Sequence, residues 1–337
     1  MADITVSDQV KIDDPALRAL ANRVAATVNA ATTKATANLV EPARFPLPKQ
    51  ATALERVLRG SIGGMPAAAR PKSKTNVLAL AGNPAAWKKE FGDVAVVDLT
   101  SATGVDEQVA KLKPVDLSSL RAIGDDAMTM SAAAAAAATP PNKELALRIH
   151  KVTCKDETSE LGKDEIYLGG TSVDEDADTK TVPAFKVKSF STGGVQAYNP
   201  PKRFTYFNVR EGGTKFPKSY SVVLVLIEHD MGDIAGFLDK VADAVRDRLR
   251  QELIKAGSKG PIEMLIALGL AYVMDKVFAW LKTLWGDEIF SPRTLSLKLP
   301  TASHRFPGGK LDSPDYTLSY KGHGGAYEVV YDWQLTV

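Results

Sequence analysis

The chain has 337 residues, with 42 basic against 40 acidic side chains and a formal net charge of +2. That balance excludes the strongly basic footprint of a nucleic-acid binder, and no Lys/Arg stripe with interleaved aromatics is visible along the sequence. The single cysteine, Cys154, excludes an intrachain disulfide framework, and the longest strongly apolar run, 264–274, is about half the ~20 residues a membrane-spanning helix needs.

Residues 1–10 carry no apolar signal segment. The expectation is a protein soluble and cytoplasmic at synthesis, with any export by a non-classical route. The stretch 1–131 is rich in Ala and Thr and poor in aromatics. Asp13 or Asp14 can cap a helix over 15–39, Pro15 suits its first turn, and Leu17, Leu20, Val24 and Val28 recur at helical spacing. Prolines at 42, 46 and 48 end it. A short helix is expected over 53–58, and the apolar runs 76–81 and 94–99 read as strands. These pieces hold little apolar surface, so 1–131 is expected to be an arm, partly helical or disordered, or one that gains order by packing on a partner or on the C-terminal domain. Seven alanines at 132–138 precede Thr139 and two prolines, which marks 132–144 as a linker.

From 145 onward the pattern changes to strands. Runs at 145–154, 165–168, 184–190, 204–209, 220–227, 294–299, 316–320 and 327–335 are β-prone and separated by Gly-, Pro- or Asp-containing turns. The run 220–227 is apolar without alternation, as in a strand buried on both faces. One exception interrupts the series. Ile234, Leu238, Val241, Val245, Leu249 and Leu253 share one face of an amphipathic helix, and Pro261 starts a second helix reaching about residue 285. The expected domain is therefore a mainly β antiparallel sandwich over 145–337, carrying an inserted helical hairpin at 233–286.

Carboxylates gather in loops rather than on strand faces: Asp156, Asp164, Glu228, Asp230 and Asp287. A hard cation such as calcium takes about six to eight oxygen ligands, which loops at one end of a sandwich can supply. The other reading of these acids is solvated loop ends or turn caps. The segment GKDEIY at 162–167, the run VLVLIEHD at 223–230 and the segment DEIF at 287–290 resemble, over about 145–300, the motifs of C2 domains. The resemblance implies a C2-like calcium- and lipid-binding sandwich with Asp156, Asp164, Glu228, Asp230 and Asp287 as metal ligands. The sequence departs from the pattern in having Glu165 for a proline, Glu228 for an aspartate and a long hairpin for a tight loop. A further acidic run, 174–178, lacks the spacing and glycine of an EF-hand loop and reads as a solvated loop.

The second helix of the hairpin is apolar on all sides, with Lys276 and Lys282 among aromatics, as in segments at a lipid interface. Met264, Leu265, Leu268, Phe278, Trp280 and Trp285 are its candidate membrane or partner contacts. Simple burial, or an oligomer interface, are the competing readings. No Gly-x-Ser-x-Gly, His-Glu-x-x-His, P-loop or dinucleotide fingerprint occurs. Cys154 reads as a small core residue. The leading expectation is a non-enzymatic, membrane-active protein of a bacterial toxin or effector type that uses calcium, with no nucleic-acid partner. The alternatives are an assembly or cargo protein of a larger particle, its hairpin a permanent packing element, and a metal-dependent hydrolase.

Overall fold

The computed structural model describes residues 3–8, 12–49, 53–62, 69–81, 83–118, 139–158, 162–211, 213, 216–228, 234–256, 262–285, 290–322 and 324–337. A short strand β1 (Thr5–Ser7) precedes five helices: α1 (Pro15–Val40), α2 (Ala53–Ile62), α3 (Ala69–Ala81), α4 (Pro84–Phe91) and α5 (Val105–Val109). Strands β2 (Glu144–Asp156), β3 (Asp164–Val173), β4 (Thr179–Phe190), β5 (Val195–Asn208) and β6 (Lys218–Glu228) follow. The hairpin helices α6 (Ile234–Lys255) and α7 (Ile262–Trp285) then lead to β7 (Arg293–Leu299), β8 (Tyr316–Gly322) and β9 (Gly325–Thr336). All eight strands expected from 145 onward form. The ninth, β1, pairs antiparallel with β7 at the sheet edge and had no signal of its own, being three residues long.

The strands make two antiparallel sheets, ordered β1-β7-β6-β3-β4 and β5-β2-β9-β8. Their facing sides share one core, in which Leu147, Ile149 and Trp333 of the second sheet meet Leu168, Val222 and Leu224 of the first. Strand β6 shows why its sequence does not alternate. Tyr220, Val222, Leu224 and Leu226 face this core, while Val223, Val225 and Ile227 enter a second core on the opposite face. That second core is helical, so the molecule has three layers: helices, sheet, sheet. The close approach of β3 to β6 requires glycine at 170, because a Cβ there would stand 1.9 Å from the Val223 carbonyl oxygen.

In the helical layer the described part of 1–131 is ordered by packing on the C-terminal domain, not disordered. Asp14 caps α1 by accepting from the Leu17 N–H at 2.7 Å, and the helix is then buried along most of its length between α7 and its neighbours. Its Ala/Thr composition is what permits this. Small side chains let helices approach closely, and the buried hydroxyls of Thr27, Thr32, Thr33 and Thr36 donate to carbonyls one turn back at 2.7–2.9 Å, which removes the cost of burying them. Even Lys34 is buried, its ammonium donating to the carbonyls of Ser101 and Thr103 at 2.6 Å each. The apolar surface that 1–131 lacks comes from α7 and β6.

Two expected strands are not strands. Residues 76–81 belong to α3, and 94–99 begin in a 3-10 turn, Gly92–Val96. Each run is too short for periodicity to separate helix from strand. Their apolar residues Val77, Val94, Val97 and Leu99 are buried in the helical core. Asn76 of α3 donates to the Thr283 and Leu284 carbonyls, serving the last turn of α7. In the expected linker, 132–138 lies outside the described residues. Asn142 is buried and ties to the β7–β8 connection through its N–H on Ala302 O at 2.8 Å.

Candidate functional site

The described members of the expected calcium set, Asp156, Asp164 and Glu228, share one end of the sandwich. Asp156 closes β2, Asp164 opens β3, and Glu228 closes β6 opposite Ile166; Asp230 and Asp287 lie outside the described residues. Asp164, however, is turned inward and buried. One carboxylate oxygen accepts the Thr158 hydroxyl at 2.8 Å; the other accepts the Thr158 N–H at 2.8 Å and the Tyr327 hydroxyl. Burial, then Asp164 itself, push the Tyr327 pKa far up, so the phenol stays a donor. A carboxylate with both oxygens engaged by three donors clamps the β2–β3 turn onto β9 and is not open to a cation that needs about six oxygens. Glu228 is likewise buried, and Asp156 is exposed. The described members of the set therefore do not fit calcium. Burial also raises the Cys154 pKa, which suits a core thiol.

The expected membrane contacts are placed differently too. Leu265, Phe278 and Trp280 are buried in the helical core and Leu268 is half-buried; the side chains of Met264 and Trp285 lie outside the described set. Trp280 packs edge-on against Phe91 at 5.1 Å between centroids and donates its indole N–H to the Thr33 hydroxyl at 3.0 Å. Most of helix α7 is covered by α1, α3, α6 and β6, while Asp275, Lys276, Ala279 and Thr283 stay exposed along one face. No described helix is long and apolar enough to cross a membrane.

At the other end of the sandwich, the acidic run 174–178 is not simply solvated. Asp174 accepts the N–H groups of Asp176 and Asp178 at 3.0 and 2.9 Å, an Asx-type turn that leads β3 into β4. Glu175 reaches the ammonium of Lys218, which is only 2% exposed, at 2.6 Å. The same ammonium donates to the carbonyls of Val209 and Glu211. A fixed side-chain cation thus holds the two loops together. Asp174 is pushed up from 3.8 to about 6, chiefly by burial, with Glu175 and Asp178 adding repulsion. A carboxyl pKa raised by folding means the native state holds the proton more tightly. Its contribution is complete below 3.8 and is lost as pH rises through about 6. Asp174→Asn keeps the acceptor oxygen and removes the ionisation. The melting temperature of the variant minus that of the wild type should grow between about pH 4 and pH 6 and then level off. A difference constant over that window would show that ionisation of Asp174 is not linked to folding.

The outer face of the second sheet carries a polar network. Arg148 of β2 grips both oxygens of buried Asp332 on β9 and reaches Asp312 at 2.9 Å, while Gln334 donates to Asp312 at 2.8 Å. His150 Nε2 lies 3.2 Å from Asp332 and 3.6 Å from Asp315. Three potential metal-ligand atoms, from His150, Asp315 and Asp332, thereby come within 4.8 Å of one another. A metal there would stand beside the guanidinium that already holds Asp332, so the group reads as a charge network centred on Arg148.

A different set of side chains forms an open, chemically uniform surface. Strands β4 and β5 are edges of the two sheets and face each other along one side of the sandwich. Exposed Lys180, Lys188, Lys202 and Arg203 line that side, Arg203 in an ion pair with Glu144 and Lys186 next to them in one with Glu165 at 2.7 Å. Three of these cations lie on aromatic rings, two of them, Lys180 and Lys202, across the gap between the strands. Lys180 and Arg203 sit 4.3 and 4.1 Å from the centre of Tyr206, and Lys202 4.4 Å from that of Phe185. Tyr206 itself is 45% exposed. Lysines and the prolines at 183, 200 and 201 also block strand addition at these edges. The sequence hid this surface because its two halves lie about 20 residues apart, and alternation along each strand reads as ordinary amphipathicity. The basic-apolar alternation at 184–190 was its one visible signal.

No protein-family model matches the chain, and no curated protein or solved structure is significantly similar to it.

Proposed function

We propose that this chain is a non-enzymatic protein that binds an anionic membrane surface from one side, through the β4–β5 flank of its sandwich. The observation that carries the reading is the row Lys180, Lys188, Lys202 and Arg203 set among Tyr206 and Phe185. Amphipathic rings with adjacent cations suit a lipid headgroup region. The strand order supports a C2-like sandwich, since eight successive strands from β2 form two antiparallel sheets in which the first and last, β2 and β9, are neighbours.

Calcium has no part in this reading, because Asp164 is committed to Thr158 and Tyr327. In this reading the hairpin stays packed, because withdrawing α7 would leave in water the apolar faces of α1, α6 and β6 that it covers, at about 1.5–3 kcal/mol for each large residue. The same burial favours a second reading, a component of a larger protein assembly with the hairpin as a permanent packing element.

Co-sedimentation with phosphatidylcholine vesicles, with and without phosphatidylserine, tests the proposal. Binding is expected only with phosphatidylserine, equal in EDTA and in calcium, and weakened by salt. Each cation near an anionic bilayer contributes about 1 kcal/mol, so replacing Lys180 and Lys202 together by Gln should weaken binding roughly 30-fold. Absence of sedimentation at low salt, or binding to an oligonucleotide in its place, would sink the membrane reading. The assembly reading would then gain.

A further inference from the structure

The helical layer holds a cleft of about 770 Å³ between α1, α4 and its following 3-10 turn, the segment 113–116 and α7. That volume lies within the ~300–1,000 Å³ typical of small-molecule sites. Its origin is visible in the sequence: α1 contributes Ala19 and Ala26 and α7 contributes Ala279, so the two helices present no bulk there. Aromatic Phe91 and Trp280 line it, both buried and held against each other.

The charges around the cleft do not cancel. Lys89, Lys113 and Lys276 are exposed at it. Of the acids, Asp93 is paired with Arg23, and Asp116, which accepts the Ser118 N–H at 2.9 Å, keeps its charge beside Lys113, so Glu90 and Asp116 stand against three lysines and one cation is in excess. Two lining residues also have buried polar atoms without a hydrogen-bond partner: Oδ1 of Asn29, a residue 7% exposed, and Nε of Arg23. The other two Arg23 nitrogens are spent on Lys113 O and Asp93. A buried donor or acceptor left unpaired costs about 1–3 kcal/mol. Both atoms lie below the cleft surface, so this cost falls on the packing of α1 and not on an occupant.

We infer that this cleft is a binding site for a small amphipathic organic anion: an aromatic or short aliphatic body against Phe91, Trp280 and the alanines, and a carboxylate- or sulfonate-type group toward Lys89, Lys113 and Lys276. The site lies in the helical layer and is independent of the β4–β5 flank, so the two can fail separately.

The probe is 8-anilinonaphthalene-1-sulfonate, with uncharged N-phenyl-1-naphthylamine as its neutral counterpart. The folded wild type should show saturable one-site fluorescence enhancement with the sulfonate and a rise in melting temperature with its concentration. The neutral probe should bind at least tenfold more weakly. Ala279→Trp fills the cleft from an exposed helix position and should abolish binding, with the melting temperature of the probe-free protein unchanged. Lys276→Glu should weaken sulfonate binding at least tenfold and leave vesicle binding as it was. Absent or non-saturable binding, equal affinity for the two probes, or undiminished binding by Ala279→Trp would each overturn the inference.

Discussion

A chain lacking residues 1–41 is expected to lose its cooperative fold, because α1 is the packing partner of α7. Leu17, Leu20, Val24 and Val28 are buried against the same core as Val273, Val277, Trp280 and Leu284. Removing α1 exposes both sets, at about 1.5–3 kcal/mol for each large side chain, a sum beyond the usual stability of a domain. The truncated protein should elute as aggregate on gel filtration. Its far-ultraviolet circular dichroism should decline gradually on heating without a midpoint. A soluble monomer that melts sharply at the wild-type temperature would mean that the helical layer is an appendage after all. The same result would make release of the hairpin at a membrane energetically accessible and would reopen the insertion reading.

The second large effect is expected at Lys218. Its ammonium and the Glu175 carboxylate are 2% and 11% exposed and 2.6 Å apart. Lys218→Met keeps the apolar stem and removes only the charge. That strands the Glu175 carboxylate, together with the carbonyls of Val209 and Glu211. Breaking one side of a buried ion pair costs about 3–5 kcal/mol, which urea denaturation of the full chain would read. Adding Glu175→Gln to the same protein should recover a substantial part of the loss, because the stranded charge is then gone, and the double-mutant cycle isolates the coupling. A loss below about 1 kcal/mol for Lys218→Met would mean that water reaches the pair and that it behaves as a surface contact. The prediction bears on the candidate cation chemistry as well. A side-chain ammonium already fills the space between these loops and neutralises Glu175, one of the four acids in the run 174–178.

The local chemistry of the strands and helices was legible in the sequence. Asp14 and Pro15 open α1, the alternation of 294–299 makes β7, and Pro261 stands just before α7, each through short-range rules of capping, pleat and proline geometry. The unbroken apolar run of β6 announced a strand covered on both sides, though not what covered it.

Partnership was decided only in three dimensions. Alanines and threonines in α1 carry little apolar area each, and nothing in their order says that α7 and β6 will supply the remainder of the core. The apolar run 264–274 of α7 calls for cover on all its sides, and the sequence favours protein burial without saying which elements provide it. Asp164 has the chemistry of a ligand until Thr158 and Tyr327 take its oxygens. Lys180 and Tyr206 become one surface only because two edge strands from different sheets face each other. Short-range geometry is encoded by neighbours along the chain, whereas burial, charge pairing and the side chains that share a cleft depend on contacts between residues far apart in sequence.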